Sequence, residues 1–184
     1  MLKNTLNAFG SVSKLFHWAI ALLVCAQFYW VWSPNFISIS DTIKTQYVLL
    51  HKSLGVTILV LALLFMLWRM VTLRPSDPSQ PYWKYILAKI VHYFLFILLL
   101  AMPVLGYLMS AADGRAVSFF GLFDLPNLIS PNPYMADLYF QAHSILGYVF
   151  AVLIGLHVAA ALHHHFIVKD DVLRKMLPFI KINK

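Results

Sequence analysis

Four long apolar stretches, separated by short polar connections, dominate the hydrophobic pattern of this chain. A helix of about 20 mostly apolar residues crosses the hydrocarbon core of a bilayer. We therefore predict four membrane-spanning helices, at about residues 15–32, 47–73, 86–109 and 138–166. The first is predicted to end before Pro34 and the second before Pro75, because proline breaks helices. The alternating pattern of a β-barrel is absent, so strands are not expected.

The composition agrees with a membrane protein. Of the 184 residues, 61% are hydrophobic and 11% are charged, and the seven acidic residues are all Asp. A soluble domain of this size exposes far more charge. We therefore expect an all-α integral membrane protein, a single four-helix bundle domain over residues 1–184. The one cysteine, Cys25, excludes an internal disulfide, a Cys-pair zinc site and a Cys-ligated iron–sulfur cluster.

The net charge of +7 is explained by membrane topology rather than by nucleic acid binding, because the cations cluster at the ends of the spans. The N-terminal arm, the second connection and the C-terminal tail hold most of them: Lys3, Lys14, Arg69, Arg74, Lys84, Lys89, Lys169, Arg174, Lys175, Lys181 and Lys184. The other two connections have Lys44 and Arg115, with Lys52 just inside the second helix. Cytoplasmic loops carry the excess of basic residues, so we predict that both termini are cytoplasmic. No cleavable signal peptide is expected, since the N-terminus runs directly into a full-length span.

The third connection, residues 110–137, is the longest and contains the apolar stretch 117–125. We interpret it as a structured lid at the outer interface, with an ordinary interfacial loop as the alternative. The second connection, residues 74–81, is rich in Pro and Ser and is predicted to be a cytoplasmic turn.

Two histidines in the fourth span, His143 and His157, are the most informative residues of the chain. Their spacing of fourteen residues corresponds to roughly 21 Å along a helix and returns to about 40° from the same face. A histidine inside a lipid-facing helix is costly and indicates a functional site. Two of them near opposite leaflets suggest axial ligands of two stacked haems, which would form an electron path across the bilayer.

The expected depth of each histidine assigns it a partner. His17 lies at the cytoplasmic end of the first span and His51 near the outer end of the second. Depth therefore pairs His17 with His157 and His51 with His143. Each pair would bind one haem b between two imidazoles, which leaves no open iron position and favours electron transfer over gas binding.

Other interpretations of these histidines remain open at this point. A single histidine near a helix end is more often a hydrogen-bonded interfacial residue than a ligand. Zinc is the rival metal, but membrane zinc sites usually add carboxylates, and no Asp lies inside a predicted span. Gly55, Gly106, Gly147 and Gly155 would let a macrocycle approach the helices, or would be ordinary small residues at helix crossings.

A second group of residues is predicted to lie near the cytoplasmic surface. His92 has no partner of matching depth and is interpreted as a hydrogen-bonding residue near a haem propionate or a quinone, or as purely structural. His164 lies seven residues after His157, so it shares nearly the same face and could donate a proton to a reduced quinone. Four cations, Lys14, Arg69, Arg74 and Lys89, could pair with propionates or a quinone carbonyl, or simply mark the cytoplasmic side.

Several short motifs along the chain belong together. They are Phe16-His17-Trp18, Leu50-His51-Lys52-Ser53-Leu54-Gly55, Ala112-Asp113-Gly114-Arg115, Phe120-Gly121-Leu122-Phe123, Gly155-Leu156-His157, and His164-His165-Phe166 followed by Lys169-Asp170-Asp171-Val172-Leu173-Arg174-Lys175-Met176. With these motifs the chain resembles, over essentially its whole length, the prokaryotic cytochrome b561 family of dihaem inner-membrane proteins.

The resemblance implies two haem b groups held by His17, His51, His143 and His157, and electron exchange with the quinone pool. Some of the family is linked to oxidising superoxide at the outer face and reducing ubiquinone near the cytoplasmic haem, with His164 expected near that quinone. No catalytic residue is assigned. The resemblance leaves open whether this chain is itself an enzyme, such as a superoxide:quinone oxidoreductase.

Two alternatives accompany this hypothesis. The chain could be a cytochrome b anchor subunit that relays electrons between quinone and a periplasmic partner, with residues 119–125 as a docking patch. It could also be a haem-free structural or metal-transport bundle, although the lack of membrane carboxylates disfavours transport. The sequence does not determine the electron donor, the direction of flow, the haem potentials, the quinone type or the oligomeric state.

Overall fold

Helices form along the apolar stretches because a backbone in lipid must satisfy its own hydrogen bonds. The computed structural model describes residues 1–32, 41–76 and 80–178. The long helices in this part of the chain are α1 Ser11–Trp32, α2 Asp41–Met70, α3 Tyr82–Ala112 and α4 Pro133–His163. A π-helical turn, His164–Val168, continues α4, and a short helix, α5 Val172–Met176, follows. Pro34, part of the second connection (77–79), Lys181 and Lys184 lie outside the described residues.

All four long helices are long and apolar enough to cross a membrane. Their outer faces carry exposed apolar side chains, such as those of Leu22, Leu67 and Val152, as expected of a surface that faces lipid. The prediction of an all-α, membrane-spanning four-helix bundle is confirmed.

The helix bounds differ from the predicted spans at several ends. α1, α3 and α4 each begin four or five residues before the apolar stretch does, because hydropathy does not register polar helix starts. At α4 the side chain of Asn132 accepts the backbone N–H groups of Tyr134 and Met135, and Pro133 occupies the first turn. α2 ends at Met70 rather than at residue 73, since the chain must leave the helical region before Pro75.

The helices are not packed equally closely. α4 packs mainly on α3, and α2 packs on both α1 and α3. In the described residues, the backbone of α4 lies farther from the backbones of α1 and α2 than from that of α3. Long side chains span these wider gaps. Phe28 of α1 meets Phe150 of α4 with ring centres 6.0 Å apart. The wider spacing leaves room between α4 and the two helices across the bundle, α1 and α2.

A layer of apolar side chains fills the middle of the bundle. Its buried members are Ile20, Val24, Ile58, Ala62, Leu98, Leu99 and Phe150. Phe150 is midway in sequence between His143 and His157, and Ile20 and Val24 follow His17 by one and two turns. The core therefore separates the two levels at which the histidines lie.

A small β-hairpin corrects the expectation that the chain forms no strands. β1 Val117–Phe119 pairs antiparallel with β2 Phe123–Leu125. The turn has positive φ at Phe120 and Gly121, as a type I′ hairpin turn requires. Strands of three residues are too short to produce a recognisable alternation. The segment predicted as a lid thus contains a folded hairpin.

Ser53 of α2 fastens this hairpin to the bundle. The side chain is fully buried, and its hydroxyl accepts the backbone N–H of Phe120 at 2.8 Å. The same hydroxyl lies within hydrogen-bond distance of the carbonyl oxygens of Leu49 and Ser118. The hairpin therefore has a fixed position two residues along α2 from His51.

A buried polar cluster closes the other end of α1 and α2. The Asn4 side chain accepts the backbone N–H of Gly10 at 2.8 Å and the hydroxyl of Ser13 at 2.7 Å, and donates to the carbonyl of Leu73. Ser13 in turn accepts the indole N–H of Trp68 at 2.9 Å. This cluster holds the N-terminal arm across the end of α2.

Ser13→Ala is expected to destabilise the protein. It leaves Asn4 Oδ1 and the Trp68 indole each without one buried partner, and such losses cost about 1–3 kcal/mol. The thermal midpoint in detergent should fall, as followed by the loss of helical circular dichroism. Ser11→Ala is the matched control, because the Ser11 hydroxyl makes only an exposed contact with the Met1 carbonyl. Equal midpoints for the two variants would contradict the role given to the cluster.

Candidate functional site

Two pairs of histidines face each other inside the bundle. His17 of α1 and His157 of α4 have ring centres 6.3 Å apart, with an interplanar angle of 51°. His51 of α2 and His143 of α4 have ring centres 6.2 Å apart, with an angle of 79°. The structure thus brings together the same partners that depth alone paired in the sequence.

The separation within each pair suits one metal ion held between two imidazoles. A metal–nitrogen bond of about 2.0 Å and a ring radius of about 1.2 Å place each ring centre about 3.2 Å from the metal. Two imidazoles on opposite sides of the ion would then have ring centres about 6.4 Å apart, close to both observed values.

The surroundings of the pairs distinguish haem from zinc. Among the described residues, no three His, Cys, Asp or Glu side chains gather in a way that could hold a metal ion. A structural zinc site needs four protein ligands, whereas haem supplies four nitrogens of its own and takes two from the protein. Each pair also bridges α4 to α1 or α2, where the helices are spaced more widely. The donor set and the spacing fit haem.

Ring nitrogens of two of the four paired histidines are buried without a hydrogen bond in the described part of the chain. They are the Nδ1 atoms of His17 and His51. His143 differs, because the backbone of Met102 lies within reach of a hydrogen bond to its ring. A buried polar atom without a partner costs free energy, so His17 and His51 are poorly explained as ordinary interior histidines.

His92 lies closer to the inner pair than the sequence indicated. Its ring centre is 5.1 Å from that of His157, edge to face, and its Nδ1 is 2.7 Å from the Ala88 carbonyl oxygen. In the sequence it was left without a partner because the four other histidines had already been paired by depth. The structure places it on α3, against His157 of the inner pair.

The glycines near the histidines have different surroundings. A Cβ on Gly106 would lie 3.3 Å from Cε1 of His143, so this glycine makes room for the imidazole itself. A Cβ on Gly55 or Gly147 would meet only the ends of Gln27 and Met102, and one on Gly155 would meet open space. Gln27 donates its amide to the His51 carbonyl at 2.9 Å and so joins α1 to α2 at the outer pair.

The end of the bundle near His17 is covered by the C-terminal segment. The Trp18 indole donates to the Met176 carbonyl at 2.8 Å, and the Lys14 ammonium donates to the Leu177 carbonyl at 2.7 Å. Lys14 is therefore engaged with the chain itself rather than being simply a cytoplasmic surface charge. These contacts fasten α5 beside the inner pair.

The remaining candidates at this end are less enclosed. Arg69 lies over the ring of Phe65 at 5.8 Å, and Arg74 is exposed. Lys89 lies 5.0 Å from the ring centre of Tyr85. His164 begins the π-helical turn, and its Nδ1 is 2.5 Å from Oδ2 of Asp170. The pairing of Asp170 with His164 was not predicted, because five residues separate them and the sequence gives no sign of the turn that joins them.

A pocket of about 440 Å³ opens between the first half of α2 and the residues that lead into β1. Lys52, which follows His51, lines it together with Lys44 and Arg115. Among the described residues no acidic side chain lines it, and Asp113 is paired with Arg115. The pocket is therefore cationic and suited to a small anion.

A membrane-spanning bundle with half-buried histidine pairs at two levels is typical of a helical membrane cytochrome b. The comparisons assign the family: the chain belongs to the prokaryotic cytochrome b561 family, whose model matches residues 8–179. Family membership implies haem b and a transmembrane electron-transfer role, and the chain is a multi-pass membrane protein.

Three relatives are similar over nearly their whole length. Cytochrome b561 homolog 2 of Escherichia coli K12 is 35% identical over 95% of this chain and 93% of its own. Cytochrome b561 homolog 1 of the same strain is 30% identical over 94% and 98%. A probable superoxide oxidase, CybB, of Yersinia pestis is 30% identical over 88% and 91%.

Trp18→Phe is expected to loosen the C-terminal segment without emptying the space that the ring fills. It removes one hydrogen bond, worth about 1 kcal/mol net, which raises the undocked fraction roughly fivefold. Trypsin should then cleave after Arg174 and Lys175 roughly fivefold faster, measured by mass spectrometry of timed digests. Trp83→Phe, at an exposed position of α3, is the control. Unchanged cleavage in Trp18→Phe would show that this bond does not hold the segment.

Proposed function

We propose that this protein is a dihaem b electron-transfer protein of the bacterial inner membrane that passes electrons from a periplasmic donor to membrane quinone. Superoxide is the donor to test first. The observation that carries the proposal is the presence of two histidine pairs, 6.2 and 6.3 Å between ring centres, at two levels of one bundle. His51 and His143 would hold the outer haem b, and His17 and His157 the inner one.

When bound, haem b supplies a one-electron carrier at each of the two levels. The protein's own residues set the character of these sites. An imidazole on each side leaves no open coordination position, which disfavours oxygen binding and favours electron transfer. The apolar layer around Phe150 keeps water out of the space between the two levels.

The distribution of charge supports an orientation with the His17 and His157 pair toward the cytoplasm. The ends of α1, α2 and α3 at this level carry Lys14, Arg69 and Lys84, and the segment after α4 carries Lys169, Arg174 and Lys175. By the positive-inside rule this end is cytoplasmic, together with both termini. The pair His51 and His143 then faces the periplasm.

The cationic pocket supports superoxide as the donor. Superoxide is an anion, and a positive cleft raises the local concentration and the encounter rate of anions. The third connection also holds acidic residues that oppose this attraction: Asp113, Asp124 and Asp137. Because Asp113 is paired with Arg115, the attraction depends mainly on Lys44 and Lys52. The relative from Yersinia pestis is named a probable superoxide oxidase.

The opposite end supports quinone as the acceptor. Two superoxide ions give up one electron each and become two molecules of oxygen, and one quinone takes the two electrons and two protons to become quinol. His92, whose ring centre is 5.1 Å from that of His157, and His164, about two helical turns beyond His157, are the candidates for proton exchange. Arg69 and Arg74 could bind a quinone carbonyl.

A second candidate function is that of an anchor subunit that passes electrons between quinone and a periplasmic partner protein. The hairpin favours it, because Phe120, Leu122 and Phe123 are exposed there at 41%, 78% and 59%. Activity of the purified chain with superoxide and quinone alone would favour the first candidate. Family membership disfavours the haem-free bundle considered from the sequence.

The first functional prediction concerns the outer pocket. The purified, oxidised protein should be reduced by superoxide and reoxidised by ubiquinone, as followed by haem absorbance. Lys44→Glu should slow the reduction roughly two- to fivefold at low salt, because it reverses one charge near the pocket, and the difference should shrink at high salt. The rate of reoxidation by quinone should not change.

Lys3→Glu is the matched control, since it makes the same charge change at an exposed position in the N-terminal arm. An equal slowing in both variants would show a general charge effect rather than attraction to the pocket. Failure of superoxide to reduce the wild-type protein would remove superoxide as the donor.

The second prediction concerns Gly106. In Gly106→Ala the new methyl group would press on the His143 ring, which must shift by a few tenths of an ångström and lose its alignment with His51. The purified variant should retain one haem b per chain and lose most of the other. Val152→Ile, which adds one methyl group at an exposed position of α4, should retain the wild-type ratio. Full haem content in Gly106→Ala would argue against His143 as a ligand.

A further inference from the structure

After α4 the chain turns back on itself, so that the end of the turn lies beside His164, where the turn begins. His164 opens the π-helical turn, and Lys169 ends it in the left-handed region with φ 59°, which residues other than glycine rarely adopt. The backbone N–H groups of Lys169 and Asp170 both donate to the carbonyl of His164. This reversal places the side chain of Asp170 beside the imidazole.

The two carboxylate oxygens of Asp170 have separate partners. Oδ1 accepts the backbone N–H of Val172, the first residue of α5, at 3.0 Å. Oδ2 lies 2.5 Å from Nδ1 of His164. The side chains of His164 and Asp170 are only 21% and 24% exposed. Because a carboxylate only accepts, Nδ1 carries the proton of this contact and Nε2 is the nitrogen available for exchange.

The rest of the C-terminal segment limits the movement of this pair. α5 begins at the residue that Asp170 holds, and Met176 and Leu177 are bound to Trp18 and Lys14 of α1. The two oxygens of the Asp170 carboxylate are therefore both held, one by the imidazole of His164 and the other by the first residue of the docked helix α5. A surface ion pair between two long, free side chains has no such support.

We propose that Asp170 is a positioning residue for proton delivery by His164 to quinone. This inference rests on the proposed function and adds a residue to its quinone site. Asp170 holds the Nδ1–H tautomer and the orientation of the ring, as the carboxylate of a catalytic triad does for its histidine. A merely structural Asp170 would support α5 and would leave proton transfer unchanged.

The proton and electron balance is simple. Doubly protonated His164 gives its Nε2 proton to a quinone oxygen as an electron reaches the quinone from the reduced protein. The neutral imidazole, still bound to Asp170, takes a proton from cytoplasmic water through its exposed edge. Two such rounds deliver two electrons and two protons and produce quinol.

The test compares two oxidants of the reduced, haem-loaded protein. Ubiquinone-1 takes electrons and protons, whereas ferricyanide takes an electron alone. Each is mixed with dithionite-reduced protein in a stopped-flow instrument, and the haem absorbance reports oxidation. Asp170→Asn should slow oxidation by ubiquinone-1 about tenfold or more and leave oxidation by ferricyanide unchanged. The variant keeps an oxygen that can accept the Val172 N–H, so α5 retains its support.

Three further variants sharpen the comparison. Asp170→Glu should recover part of the rate, since it restores the carboxylate. Asp171→Asn is the matched control, because it removes the same charge one residue away, from the exposed pair with Arg174, and should behave as wild type. His164→Gln should slow quinone reduction as Asp170→Asn does, and the double variant should be no slower than His164→Gln alone.

Three results would overturn the positioning role of Asp170. Equal quinone rates for Asp170→Asn and Asp171→Asn would overturn the inference and leave quinone as the acceptor. Slowing of both oxidants, or loss of haem, in Asp170→Asn would assign Asp170 a structural role and also overturn it. If reduced wild-type protein reacts with ferricyanide and not with ubiquinone-1, the proposed acceptor itself is wrong, and this inference falls with it.

Discussion

The rest of the structure depends on two pairs of imidazoles that face each other across the wide gaps between α4 and the helices α1 and α2. α4 contributes a histidine to each pair, and the spacing of fourteen residues from His143 to His157 places the two levels roughly 21 Å apart along its axis. α1 and α2 each supply one partner. Because the backbones of these helices stay apart from α4, the gaps can accept a flat cofactor that closely packed helices would exclude.

The other features hold the helices at these distances. α3 packs closely on α4 and supplies Gly106, whose missing side chain gives the His143 ring its space. The Asn4, Ser13 and Trp68 cluster fastens α1 to α2 at one end, and Gln27 joins the same two helices at the His51 carbonyl. The apolar layer between the histidine levels supplies most of the buried contacts, since lipid-facing surfaces contribute no hydrophobic driving force.

Much of this architecture was predictable from the sequence, and the exceptions have physical reasons. The membrane spans and the histidine pairs could be predicted from hydropathy and helix periodicity, because both are patterns that can be read from residues close together in the sequence. The contact of His92 with His157 was not predicted, because matching depth pairs residues two at a time and does not show which side chains of a third helix turn toward a pair. The pairing of Asp170 with His164 was missed because it depends on a π-helical turn and on Lys169 in the left-handed region. Neither feature has a reliable sequence pattern. The hairpin was missed because its strands are three residues long.

The functional assignment depends on two haem b groups in a single chain. The most direct measurement is a reduced-minus-oxidised absorption spectrum of the purified wild-type protein, with haem counted against polypeptide. We expect two low-spin haem b groups per chain, because each site would offer an imidazole on each side of the haem. One haem per chain, or a high-spin spectrum that indicates an open coordination position, would contradict the path across the membrane.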